Sequence, residues 1–108
     1  MTLEFGWTIP IGMADKSRRG DYVASVERIL HMLPGHFSSA WITDHFQWDE
    51  RDTNESYTSL AYFAGRHPEL KFGPIVTGQS YRNPALLAKM AATLQFRLMW
   101  PQGCRAAL

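Results

Sequence analysis

Three times along this chain a short run of strand character gives way to a polar turn, then to a segment with apolar residues at helical spacing. That alternation constrains the fold more than any other feature. A strand–helix–strand order with crossovers of this length leads to a parallel sheet. In the first unit Leu3 to Pro10 alternates apolar with small or polar residues, and Pro10 and Gly12 end the strand. Asp15 to Gly20 is charged and loop-like, with Arg18 and Arg19 read as solvated. Asp21 has the character of an N-cap. Behind it Tyr22, Val23, Val26, Ile29, Leu30 and Leu33 form an apolar stripe, with Glu27, Arg28 and His31 on the other face. Pro34-Gly35 stops this helix, and His31 and His36 are expected to face solvent.

The second strand is Ser39 to Thr43, running directly into Asp44-His45. The polar segment from Gln47 to Glu55 reads as a working loop. Thr53 or Asn54 is the expected cap of a helix with Tyr57, Leu60, Ala61 and Ala64 inside, closed by Gly65 and His67-Pro68. The third strand is Lys71 to Thr77. The turn out of it predicts Gly78 in a backbone conformation that disfavours a side chain. Asn83 then caps a helix from Ala85 to Leu94, with Pro84 at its first position and Leu86, Leu87, Met90 and Leu94 at core spacing.

A chain of 108 residues, 45% of them hydrophobic, is long enough for one domain with a modest core. Its net charge of +1, with signs interspersed, gives no basic stripe and so no nucleic-acid partner. No apolar run approaches the roughly 20 residues needed to span a bilayer, and the N-terminus has no targeting pattern. Cys104 is the single cysteine, which excludes an internal disulfide and predicts a cytoplasmic setting.

Chemistry in parallel α/β proteins collects where strands end and loops begin. Asp44 and His45 stand at such a place, an acid able to orient an imidazole beside a base that titrates near neutrality. From the residues alone, an Asp-His pair after a strand is more often a surface pair or a cap than a perturbed functional pair. The four histidines, His31, His36, His45 and His67, show no short ligand spacing, so no metal is expected. Gly73 and Gly78 fit no phosphate-loop pattern and punctuate strand ends. Arg82 and Lys89 read as solvated helix charges. Cys104 has no adjacent base. Trp48, Tyr57, Tyr62 and Phe63 read as packing residues.

Three stretches carry a family resemblance: Trp41-Ile-Thr-Asp-His-Phe46, Gly73-Pro-Ile-Val-Thr-Gly78 and, longest and most specific, Tyr81-Arg-Asn-Pro-Ala-Leu-Leu-Ala-Lys-Met-Ala-Ala-Thr-Leu94. Over positions 3 to 95 the chain resembles the N-terminal part of the luciferase-like flavin-dependent oxidoreductases and monooxygenases. The resemblance implies the first three βα units of a TIM barrel, truncated, forming a parallel sheet covered by helices. It implies FMN or the deazaflavin coenzyme F420 as cofactor and a small molecule as substrate. His45 would be a catalytic acid or base, and Asp44 would orient it and touch the cofactor. Ile75, Val76, Thr77 and Gly78 would complete the cofactor-binding set, with a non-prolyl cis peptide at Ile75-Val76 backing the ring.

The departure from the family begins after the last helix. Members continue with a Ser-Gly-Gly-Arg turn into a fourth strand, whereas Gln95 to Arg105 departs from it. The expected division is therefore a partial barrel domain at 1–95 and an irregular, poorly packed tail at 96–108. A barrel takes about 200 residues or more, so a truncated or shifted reading frame, with weak cofactor binding, is the expectation. The alternative is a non-catalytic truncated partial barrel that acts as an interaction or oligomerising module, forming homo-oligomers through its exposed sheet edges, or has no function.

Overall fold

The computed structural model describes residues 2–97, and the alternation is realised within them. Strand β1 (Gly6–Ile9) is followed by a 3-10 helix (Lys16–Asp21) and helix α1 (Tyr22–Met32). Strand β2 (Ser39–Ile42) leads to α2 (Ser56–Arg66), and β3 (Lys71–Pro74) to α3 (Pro84–Arg97). The sheet is parallel in the order β1-β2-β3, with Trp7, Ala40 and Phe72 in register, and Ile9, Ile42 and Pro74 two residues on. The chain therefore has a mixed α/β fold with a three-stranded parallel sheet, consistent with the start of the expected barrel.

Side chains alternate across a strand, and the two faces differ in kind. Ile9, Ala40, Ile42 and Phe72 join one buried cluster with Tyr22, Val26, Leu30 and Leu33 around α1 and with Leu60, Phe63 and Ala64 of α2. The other face carries Thr8, Trp41 and Gly73 in one row, and Trp41 donates its indole N–H to Ser39. Helices α1 and α2 thus cover one face of the sheet. A second, smaller cluster joins Tyr57 of α2 to Leu87 and Leu94 of α3.

The elements differ from expectation mostly at their ends, each for a local reason. The strands are shorter, because extended chain beyond Ile9, Ile42 and Pro74 has no ladder partner, apart from the Ile75 N–H that donates to Ile42 O at 2.8 Å. Asp15 to Gly20 is no loop: Asp15 caps the 3-10 helix by accepting from the Ser17 N–H. Asp21 makes no capping hydrogen bond, since its carboxylate accepts from Arg18 Nε instead. Glu55, neither Thr53 nor Asn54, caps α2 by accepting from the Tyr57 and Thr58 amides. Asn54 is drawn elsewhere, donating both its amide N–H and its side chain to Ile11 O. Asn83 caps α3 as expected, accepting from the Ala85 and Leu86 amides.

Of the expected stripes, Val23, Ile29 and Leu86 are exposed, while Tyr22, Val26, Leu30, Leu33, Leu87 and Leu94 are buried. Among the aromatics read as packing residues, Tyr57 and Phe63 are buried but Trp48 and Tyr62 are exposed. Helix α3 continues to Arg97, so the expected irregular tail is helical in backbone at 96 and 97. The rest of it, Cys104 included, lies outside the described residues.

Ile42 is fully buried at the C-terminal end of the middle strand. Ile42→Val should therefore lower stability by about 0.5–1.5 kcal/mol through the lost methylene and the space left behind. Urea unfolding checks this, and an unchanged midpoint would mean that the cluster closes around the smaller side chain.

Candidate functional site

The strand-end acid is held by a network the sequence did not announce. Asp44 stands two residues past the end of β2, and its side chain is almost fully buried at 2% exposure. Its Oδ1 accepts from Ser56 Oγ and from Arg82 Nη2, both at 2.8 Å. Its Oδ2 accepts from the Gly78 amide at 2.7 Å and from Arg82 Nη1. The Asp44 carbonyl accepts from the Tyr81 hydroxyl at 2.8 Å.

Arg82 is the hub of this site. Its side chain is 8% exposed rather than solvated, and its guanidinium also donates to Glu55 and to Gly78 O. The guanidinium lies over the rings of Tyr57 and Tyr81, at 5.0 and 4.8 Å from their centroids. The planar fork meets the carboxylate with two N–H groups while its faces stack on aromatic rings, a combination lysine does not offer. The residues joined in this way come from the end of β2, the start of α2, the turn after β3 and the entry to α3.

Burial alone raises the Asp44 carboxyl. Hydrogen bonds from Arg82, the Tyr81 hydroxyl, Ser56 and the Gly78 amide outweigh that and hold it at about 2. The hydrogen bond to Asp44 in turn raises the Arg82 guanidinium above its ordinary value. Asp44 is therefore a fixed anion over the whole physiological range. It makes no hydrogen bond to His45: the expected Asp-to-His pairing is absent, because the carboxylate is engaged by Arg82, Ser56 and Gly78. His45 is exposed and makes no side-chain hydrogen bond among the described residues. Its ring meets Trp48 edge to face, at 4.3 Å between centroids.

The other expected site residues follow β3. The Ile75-Val76 peptide is cis. Ile75 and Val76 are exposed at 48% and 72%, leaving an apolar surface at the sheet's end. Thr77 shares a hydrogen bond with the Tyr57 hydroxyl at 3.1 Å, and Gly78 supplies its amide to Asp44. Gly78 is not required for a left-handed backbone, since its φ lies outside that region; Gly35 is the glycine with positive φ. Space is the reason instead. A Cβ on Gly78 would sit 2.7 Å from the Tyr81 ring, which is pinned by its hydroxyl and by Arg82.

Arg82, Glu55, Ser56 and Tyr81 are the site residues that spacing did not single out. The legible signal was Tyr81-Arg82 directly before a strong helix cap, but nothing local marks an arginine that reaches back to a strand end 38 positions earlier. Of the histidines set aside for lack of ligand spacing, His31 and His67 come together with Glu27 near the opposite end of the sheet.

Two outcomes follow from this geometry. Arg82→Met leaves Asp44 buried without its cation and should cost about 3–5 kcal/mol at neutral pH. Because the folded Asp44 titrates near 2 against 3.8 for the free group, its stabilisation is complete above about pH 4 and is lost as pH falls through 2. The gap between wild type and Arg82→Met should therefore narrow between pH 7 and pH 3, where the variant's Asp44 regains its proton. A constant gap in urea unfolding would remove the ion pair from the account. Separately, Gly78→Ala should destabilise by about 1 kcal/mol or more, with most of the loss recovered in a Tyr81→Ala background. Equal losses in both backgrounds would show that the ring is not the obstacle.

The match with known proteins covers this site and the sheet that carries it. Residues 3–96 match the family model of luciferase-like monooxygenases, so the chain belongs to that family.

Proposed function

We propose that this chain serves a luciferase-like oxidoreductase that uses FMN or the deazaflavin coenzyme on a small-molecule substrate. The observation that carries the reading is the pairing of exposed apolar surface at Ile75 and Val76 with an exposed His45, both at the strand ends of a family member. The family generally uses flavin-type cofactors, and such a cofactor supplies the hydride or oxygen chemistry. The residues present fit one side of its ring: Ile75 and Val76 offer an apolar wall, and the turn at Thr77-Gly78 is fixed beside it by Tyr57 and Asp44.

His45 is the group that moves a proton in this reading. It is exposed, carries no competing side-chain hydrogen bond among the described residues, and has its ring oriented by Trp48. A neutral imidazole accepts and an imidazolium donates, so one residue serves either direction. Asp44 acts as a positioning residue. It fixes the backbone on which His45 stands and the Gly78 turn, without exchanging protons itself. Arg82 is committed to Asp44 and Glu55, so it is not a grip for the cofactor's phosphate. Ring contact without a phosphate grip supports weak binding by these residues alone, in the millimolar range, since each missing charge-assisted hydrogen bond forgoes about 1.5–3 kcal/mol.

A second reading rests on the sheet edges. Strands β1 and β3 each pair on one side only among the described residues. Unpaired edges take up strands from another chain, which would make the chain an interaction module or a homo-oligomer. One titration separates the two readings. FMN and the deazaflavin coenzyme, added to about 1 mM, should perturb the cofactor's absorbance, and Val76→Asp should abolish the perturbation. A perturbation that survives Val76→Asp, or none with either cofactor, would remove the ring wall. Oligomers seen by light scattering without any cofactor response would favour the module.

A further inference from the structure

At the end of the sheet away from Asp44, a second polar cluster forms where the helices finish. Asp44 follows β2, whereas His67 caps α2 just before β3 begins, so the two clusters lie toward opposite ends of a parallel sheet. Glu27 and His31 stand four apart on α1, one turn from each other on the same face. One ligand atom from each of Glu27, His31 and His67 lies within 4.8 Å of the others. Glu27 Oε2 is 2.8 Å from His67 Nε2 and 3.7 Å from His31 Nε2.

A hydrogen bond between Glu27 and His67 would by itself be an ordinary way to satisfy a buried imidazole. Three further features point beyond it. His67 is buried at 1% exposure, yet its Nδ1 has no hydrogen-bond partner. If Nε2 carries the proton and donates to Glu27, Nδ1 is a buried acceptor without a hydrogen-bond partner. If a cation takes Nε2, the proton moves to Nδ1, and Glu69 Oε1 stands 3.5 Å away as the acceptor. A carboxylate behind a ligating histidine is the usual way its tautomer is fixed.

Second, the spacing suits a small ion. Bonds of about 2.1 Å at a tetrahedral angle set donor atoms about 3.4 Å apart, and the two distances from Glu27 Oε2, 2.8 and 3.7 Å, bracket that value. Third, the site is open on one side. The His31 side chain is 70% exposed while Glu27 is 12% exposed, which leaves an entry path and room for water as a fourth ligand. Arg66 Nε donates to Glu27 Oε1 at 2.7 Å and so leaves Oε2 to face the imidazoles.

We propose that Glu27, His31 and His67 form a binding site for a divalent transition metal of the zinc, cobalt or nickel type. Two imidazoles and one carboxylate are donors for these ions, whereas magnesium and calcium prefer oxygen ligands throughout. The Arg66 cation beside the carboxylate opposes a second positive charge, which moderates the affinity. The site ties the end of α1 to the end of α2, far from the proton chemistry of His45. Sequence spacing missed it because His67 comes from 36 positions beyond His31 and only the fold brings them together.

The test is zinc titration of the full chain, without a histidine tag and in a Cys104→Ser background, so that the one thiol does not compete. Equilibrium dialysis with metal analysis should find about one zinc per chain, with a dissociation constant of about 100 µM or tighter. His31→Ala removes an exposed side chain that the fold does not need, and should weaken zinc binding by about tenfold or more. Zinc should raise the unfolding temperature of the parent and not of His31→Ala, while magnesium should shift neither. Zinc binding weaker than about 100 µM, or an affinity unchanged by His31→Ala, would overturn the assignment.

Discussion

The ion pair between Asp44 and Arg82 is the constraint from which the rest of the upper sheet takes its shape. A parallel sheet fixes its strands by ladder hydrogen bonds, but the loops beyond the strand ends have no such template. Here the loops after β2 and β3 are fastened to each other by one carboxylate and one guanidinium, both nearly buried. Removing two charges from water is costly unless their remaining donors and acceptors are satisfied. Both oxygens of Asp44 accept two hydrogen bonds each, and Arg82 is also matched by Glu55 and Gly78 O. The desolvation cost is offset because the network is complete, and a complete network admits few alternative arrangements.

That completeness also explains the small residues around it. Gly78 has to bring its amide to Asp44 while Tyr81 folds back over it, which leaves no room for a Cβ. On the other side of the β2 loop, Gly12 meets a comparable limit, since a Cβ there would lie 2.0 Å from Asp52 O. The loops after β1 and β2 are thus in backbone contact, joined by Asn54 to Ile11 O and by the Arg19–Asp52 pair. All three loops at this end are tied to their neighbours by side chains from helix starts.

The alternation of strand and helix periods was legible because it is local, and it yielded the order β-α-β-α-β-α, though it missed the 3-10 helix at Lys16–Asp21. What depended on distant partners was not legible. Glu55 takes the cap of α2 because the nearer candidate, Asn54, is spent on Ile11 O. Asp21 has the composition of a cap but lies closer to Arg18. Asp44 was visible as a strand-end acid, yet its partner was not. An arginine before a helix cap carries the same local signature whether it meets water or a buried carboxylate. The same reasoning hid His67, whose burial against Glu27 depends on how α1 and α2 lie side by side.

The division of labour between Asp44 and His45 follows from the energetics of burial. A carboxylate shared between Arg82 and an exposed imidazole would leave one of its buried donors unmatched, at a cost of about 1–3 kcal/mol. Pairing fully with Arg82 avoids that cost and leaves the next residue without an acid partner. The imidazole of His45 is consequently left without a side-chain hydrogen bond among the described residues, its ring edge to face with Trp48. In the function proposed above, Asp44 would contribute by holding the backbone still, since a side chain on a wandering loop would lose the alignment on which proton transfer depends.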